Sequence, residues 1–107
     1  MDIKELVQGI ESCKCGKSHA CPIDYVIIGK GALQSLQDIC KDYKSILMVS
    51  DQNTYRVCGK EVADILGEKV TSSIMFETGD APLIPDEKAI EAIHTKYVDG
   101  VDLILGV

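Results

Sequence analysis

The sequence predicts an α/β fold, an open and doubly wound parallel sheet, on three observations. Short apolar runs alternate with stretches of helical periodicity. The run Ile46-Leu47-Met48-Val49-Ser50 has no polar alternation, as expected of a strand buried on both faces of a helix-covered sheet. The intervals between the runs hold helices of roughly ten residues, enough for repeated right-handed βαβ crossovers.

The elements follow in order. Ile3, Leu6, Val7 and Ile10 recur at helical spacing and predict a short amphipathic helix. Residues 12–22 carry Cys13, Cys15, His19 and Cys21 around a Gly16-Lys17 turn, which predicts a small hairpin. Tyr25-Val26-Ile27-Ile28, stopped by Gly29, is the first expected strand, and Leu33, Leu36, Cys40 and Tyr43 mark the next helical stripe. Residues 46–50 form the second strand, ending at Asp51. Val62, Ile65 and Leu66 share a helix face that Gly67 closes. Residues 73–76 are a third strand, and Gly79, Pro82 and Pro85 make the following loop irregular. Asp86 caps a helix bearing Ile90, Ile93 and Tyr97, with Asp99-Gly100 at its end. Residues 101–107 are the fourth strand. Since an open α/β sheet binds ligands just beyond its strand ends, a chain stopping at Val107 is expected to be part of a longer protein.

Composition excludes several classes. The 107 residues include 11 Lys+Arg against 17 Asp+Glu, for a net charge of −6, with 46% hydrophobic and 26% charged residues. These fractions belong to a folded chain rather than a disordered one. No apolar run approaches the roughly 18 residues of a spanning helix, and the N-terminus lacks the apolar core of a secretion signal. Neither a membrane nor nucleic acid is an expected partner, since an acidic chain repels phosphate backbones. Five cysteines, an odd number without a leader, point to reduced thiols and a cytoplasmic protein.

Three constellations could carry chemistry. Gly29-Lys30-Gly31 opens a helix after a strand, with Asp51 twenty residues beyond Gly31. This approximates a dinucleotide fingerprint, but Gln34 stands where the third glycine belongs, which favours a plain tight turn. Asp51 could accept hydrogen bonds from both hydroxyls of an adenosine ribose, at about 1.5–3 kcal/mol each. It would disfavour a 2′-phosphate, since like charges at 4 Å repel by about 4 kcal/mol at an effective dielectric of 20. Alternatively, Asp51 is the N-cap of the next turn, and both readings stay open. Cys13, Cys15, His19 and Cys21 could close a zinc tetrahedron or pack as small hydrophobes; no metal ligand is assigned among them from sequence. Cys40 and Cys58 read as packing residues and His94 as a boundary residue.

Several stretches resemble a known family. They are Cys13-Lys-Cys15-Gly16-Lys-Ser-His19, Val26-Ile-Ile-Gly29-Lys-Gly31-Ala32-Leu33, Ile46-Leu-Met-Val-Ser-Asp51-Gln-Asn53-Thr54-Tyr55 and Val101-Asp-Leu-Ile-Leu-Gly106-Val107. Together they are similar to the N-terminal part of the sn-glycerol-1-phosphate dehydrogenases, within the group of iron-containing alcohol dehydrogenases, glycerol dehydrogenases and dehydroquinate synthases. The resemblance covers essentially the whole chain. It implies a Rossmann-like sheet with an N-terminal helix and small hairpin, an incomplete half of a dinucleotide-binding domain. Residues 1–107 would be the N-terminal part of the NAD(P)-binding domain: helix and Cys/His hairpin over 1–22, four βα-type strands over 23–107. Asp51 would contact the adenosine ribose, with Asn53, Thr54 and Gly106 on the same rim. The family's glycine-rich pyrophosphate loop would follow Val107, and Gly29-Lys30-Gly31 then reads as a turn. A divalent metal (Zn, Fe or Ni) would be held only in an all-helical C-terminal domain.

The activity so implied is metal-dependent, NAD- or NADP-linked interconversion of dihydroxyacetone phosphate and sn-glycerol-1-phosphate. This chain alone is expected to be inactive. The alternatives are a glycerol or polyol dehydrogenase of the same group, and a non-enzymatic α/β binding module. Expected partners are the dinucleotide and a polyol phosphate, with self-association through the last strand into a homo-oligomer.

Overall fold

Described over residues 2–107 apart from the Leu6 side chain, the computed structural model divides into a unit reaching to Ala32 and a second unit, Leu33–Val107. In the first unit, helix α1 (Ile3–Val7) is shorter than its apolar stripe. Leu6, part of that stripe, has its side chain outside the described residues. Gly9 turns the chain at φ +70°, and Ile10 leaves the helix to form an antiparallel bridge with His19. The Ile10 N–H donates to the His19 carbonyl at 2.9 Å, and the His19 N–H donates back at 2.8 Å. A Cβ at Gly9 would lie 2.5 Å from the His19 oxygen, so glycine is required for this approach. Between the bridged residues the chain reverses as the sequence predicts. The Gly16 N–H donates to the Cys13 carbonyl at 2.9 Å, and the Cys13 N–H to that of Lys17 at 3.3 Å.

One predicted strand does not form. Residues 25–28 enter no ladder, with Tyr25 66% and Ile28 79% exposed. An apolar run specifies burial but not a pairing partner, and both edges of the central strand are taken by other segments. The sheet of the described residues therefore has three strands, not four.

A 3₁₀ turn, Ala32–Ser35, leads into helix α2 (Leu36–Ile39) of the second unit. Leu33, Leu36, Cys40 and Tyr43, predicted as one stripe, all face the core although the helix is brief. Strand β1 (Ile46–Asp51) follows, then a continuous helical stretch composed of α3 (Gln52–Thr54), a π-helical turn (Tyr55–Gly59) and α4 (Lys60–Leu66). At Gly59 a Cβ would lie 2.9 Å from the Tyr55 ring, so the missing side chain lets the ring fold back over the widened turn. Gly67 ends α4 at φ +55°, ψ −128°. Strand β2 (Val70–Phe76), helix α5 (Glu87–Lys96) and strand β3 (Leu103–Gly106) complete the chain. Asp86 caps α5 as predicted, accepting the Ala89 N–H at 3.0 Å. The helix stops at Lys96, before the Asp99-Gly100 turn.

All pairing within the sheet is parallel, in the order β2-β1-β3, which gives the expected Rossmann-like α/β half-domain. Ile46, Leu47 and Met48 are at most 3% exposed, so consecutive residues are buried on opposite faces of the central strand. Ile46 and Met48 join Cys40, Val62 and Leu66 in the core beneath α2 and α4. Helix α5 packs on β2, with the Ser72 hydroxyl donating to the Lys96 carbonyl at 2.6 Å. The Asp102 carboxylate fastens β3 to the start of β1, accepting the Lys44 N–H at 3.0 Å and the Ser45 N–H at 3.0 Å. These two bonds hold the carboxyl below its ordinary pKa. No helix among the described residues is long and apolar enough to cross a membrane.

Candidate functional site

Strand order locates the candidate site. From β1 the chain steps to one neighbour, β2, and then returns past β1 to the other side, β3. Winding therefore reverses between β1 and β3, and their carboxyl ends form a topological switch point, where open α/β sheets bind ligands. Asp51 ends β1, and Gly106 ends β3, paired with Val49.

Asp51 is built into the first helical turn. Its Oδ1 accepts the N–H groups of Asn53 at 2.7 Å and Thr54 at 2.8 Å. The Thr54 hydroxyl returns the interaction, accepting the Asp51 N–H at 3.0 Å, which completes a capping box. The N-cap role left open by the sequence is thus realised. It uses only Oδ1: no hydrogen bond to Oδ2 is found among the described residues. The cap fixes the carboxylate while leaving one oxygen free at the switch point.

Asn53, Thr54 and Gly106 line a cavity of about 500 Å³ beside this carboxylate, although Asp51 itself is not part of its wall. That volume is in the range of small-molecule sites. The rest of the wall is mainly apolar, with Leu36, Val57, Val62 and Leu105 prominent. Sequence reasoning missed this wall. No local pattern marked it, since it includes Val57, whose 79% exposure is decided by the tertiary structure. Nothing lies within 4 Å of a Cβ placed on Gly106, so the floor at the end of β3 is open to a ligand's close approach.

Gly29-Lys30-Gly31 behaves as a turn. The Ala32 N–H donates to the Gly29 carbonyl at 3.2 Å, and Gly31 takes φ +81°. Cys40 is buried at 1% exposure, which raises its thiol pKa, and Cys58 packs against the core cluster that includes Cys40. His94 is exposed, at the edge of an apolar groove formed with Ile90, Ile93, Tyr97 and Ile104.

The hairpin brings three potential metal ligands together. The ligand atoms of Cys13, Cys15 and His19 lie within 4.8 Å of one another, and Cys15 Sγ is 3.1 Å from His19 Nε2. The backbone N–H of Cys15, with its side chain, holds the Cys13 thiol below its ordinary pKa. Cys21 is not part of the group, and all five cysteines are free.

Fold and site together define a Rossmann-like α/β half-domain with its pocket at the switch point of a parallel sheet. In sequence the chain is similar to proteins named glycerol-1-phosphate dehydrogenase (NAD(P)+). That of Halalkalibacterium halodurans is 28% identical over 111 aligned positions, covering 98% of this chain and 28% of the relative. That of Methanosarcina barkeri is 30% identical over 82 positions, covering 71% of this chain and 23% of the relative. The chain thus spans roughly a quarter of the length of the relatives it matches. The family resemblance carried by the motifs above is borne out. No family profile matches the chain, and no solved structure gives a significant match.

Proposed function

We propose that this chain forms the adenosine-side part of the dinucleotide site of a dehydrogenase that interconverts dihydroxyacetone phosphate and sn-glycerol-1-phosphate using NAD(P). The observation that carries the proposal is Asp51, fixed by its cap at the carboxyl end of the central strand with Oδ2 free. In this role Asp51 holds the ribose diol, Asn53 and Thr54 border the nucleoside, and Gly106 lets it approach the strand end. A carboxylate at Asp51 favours NAD over NADP, whose 2′-phosphate would lie against it. The names of the relatives support the reaction class. No catalytic residue is assigned within the chain, which by itself is proposed to be inactive; the metal-dependent chemistry is left to other parts of the enzyme. Free thiols support a cytoplasmic setting.

Amide chemical-shift mapping of the 107-residue chain with AMP, NMN and NAD tests the assignment. AMP and NAD should perturb Asp51, Asn53, Thr54 and Gly106 with similar affinity, while NMN should leave them unmoved. Perturbations confined to another edge of the sheet, or none at millimolar AMP, would overturn it.

A further inference from the structure

We propose that Cys13, Cys15 and His19 form a zinc site that staples the N-terminal unit. The hairpin presents two thiols and an imidazole within 4.8 Å, close to the spacing of a tetrahedral Cys₂His set. Zn–S bonds of about 2.3 Å and Zn–N bonds of about 2.0–2.1 Å separate neighbouring ligand atoms by roughly 3.5–3.8 Å in that geometry. The 3.1 Å contact between Cys15 Sγ and His19 Nε2 needs to open only slightly to admit the ion.

Local backbone geometry prepares the group. The turn from Cys13 to Gly16 brings Cys13 and Cys15 to the tip, and Gly16 adopts φ +79°. The Ile10–His19 bridge returns His19 to the same place, through the approach that Gly9 permits. Core packing does not explain these residues, because Cys15 and His19 are exposed and Cys13 is only half-buried. The unit also needs a staple. Among its described side chains, up to Ala32, none is buried. Segments below about 40 residues without a core ordinarily rely on metals, disulfides or association.

Zinc binding replaces the two thiol protons, which pass to the buffer, and leaves His19 neutral. Three protein ligands leave the fourth position to water. Where a site forms only around its ion, the binding free energy is folding free energy, so the ion would order the hairpin.

The test uses the reduced, chelator-stripped 107-residue chain titrated with Co²⁺ and then Zn²⁺. Expected are one equivalent bound, a thiolate-to-cobalt charge-transfer band with visible bands of a tetrahedral ion, and displacement of cobalt by zinc. Cys13→Ser, Cys15→Ser and His19→Gln should each weaken zinc by more than the roughly 10–100-fold that changes behind the ligands cost. Cys21→Ser and Cys58→Ser should bind like the parent. The proposal is overturned if no cobalt–thiolate band appears, or if uptake survives in the Cys13→Ser/Cys15→Ser double variant. It is also overturned if Cys21→Ser costs as much as Cys15→Ser. The cobalt spectrum reports thiolate ligation directly, and circular dichroism of each variant checks that the sheet of the second unit persists.

Discussion

In the proposed site, Asp51 would serve structure and ligand binding through different atoms. Oδ1 caps the helical stretch, and Oδ2 has no hydrogen bond from the described residues. The two roles separate experimentally. Asp51→Ala should cost about 0.5–2 kcal/mol in urea unfolding as the cap is lost, and should abolish AMP binding. Asp51→Asn caps nearly as well but lacks the carboxylate, so stability should hold while AMP affinity falls. Unchanged affinity in the asparagine variant would remove Asp51 from the site. Asp102 provides a pH test of a different kind. Its folded pKa lies below its ordinary value because the Lys44 and Ser45 N–H groups stabilise the anion. The contribution is therefore complete above the ordinary carboxylate pKa and is lost as pH falls through the depressed folded value. Melting temperature should drop on acidification below about pH 4, and Asp102→Asn should flatten that decline. An identical acid profile in the variant would contradict the assignment.

Elements succeed or fail here according to what completes them. Strand β1 needed only its own apolar run and two neighbours, and Met48, at 3% exposure, is at the centre of the core. Met48→Ala should destabilise by about 2–5 kcal/mol, measured by chemical unfolding, and a smaller cost would mean the site collapses readily. Helix α4 depends on its stop. Gly67 has φ +55° and ψ −128° with open space where a Cβ would go, so any penalty for alanine comes from the backbone rather than from a clash. Gly67→Ala is expected to cost about 1–3 kcal/mol, and no measurable change would show that the turn can relax. Residues 25–28 have the composition of β1 without a neighbouring strand, which is why equal apolarity gave a strand in one place and an exposed run in the other.

At the scale of the second unit, each outer strand of the sheet, β2 and β3, has one unpaired edge among the described residues. Strand β3 pairs with β1 on one side, and no partner occupies its other side among the described residues. Ile104 of β3 shares an apolar groove with Ile90 and Tyr97 of α5, and the three are 54%, 57% and 48% exposed. Unpaired strand edges next to apolar surface recruit further strands. The chain should therefore self-associate with rising concentration in sedimentation velocity, and Ile104→Lys should return it to monomer. A parent chain that stays monomeric at high concentration would count against the proposed homo-oligomer.

Local patterns in the sequence determined the elements of this protein. The unbroken apolarity of residues 46–50, the stripe from Leu33 to Tyr43, the Asp86 cap and the Gly67 stop each act over a few residues, and each has the predicted role. The sequence also placed Asp51 at a strand end, where cap and ribose ligand looked alike because both require a short acid there. Tertiary structure decided what depends on distance along the chain. It set the β2-β1-β3 order, the switch point between segments more than fifty residues apart, and the apolar cavity shared by Val57 and Leu105. It also excluded residues 25–28 from the sheet. Pairing and cavity shape depend on which segments meet, and that is a sum over the whole chain that no local window contains.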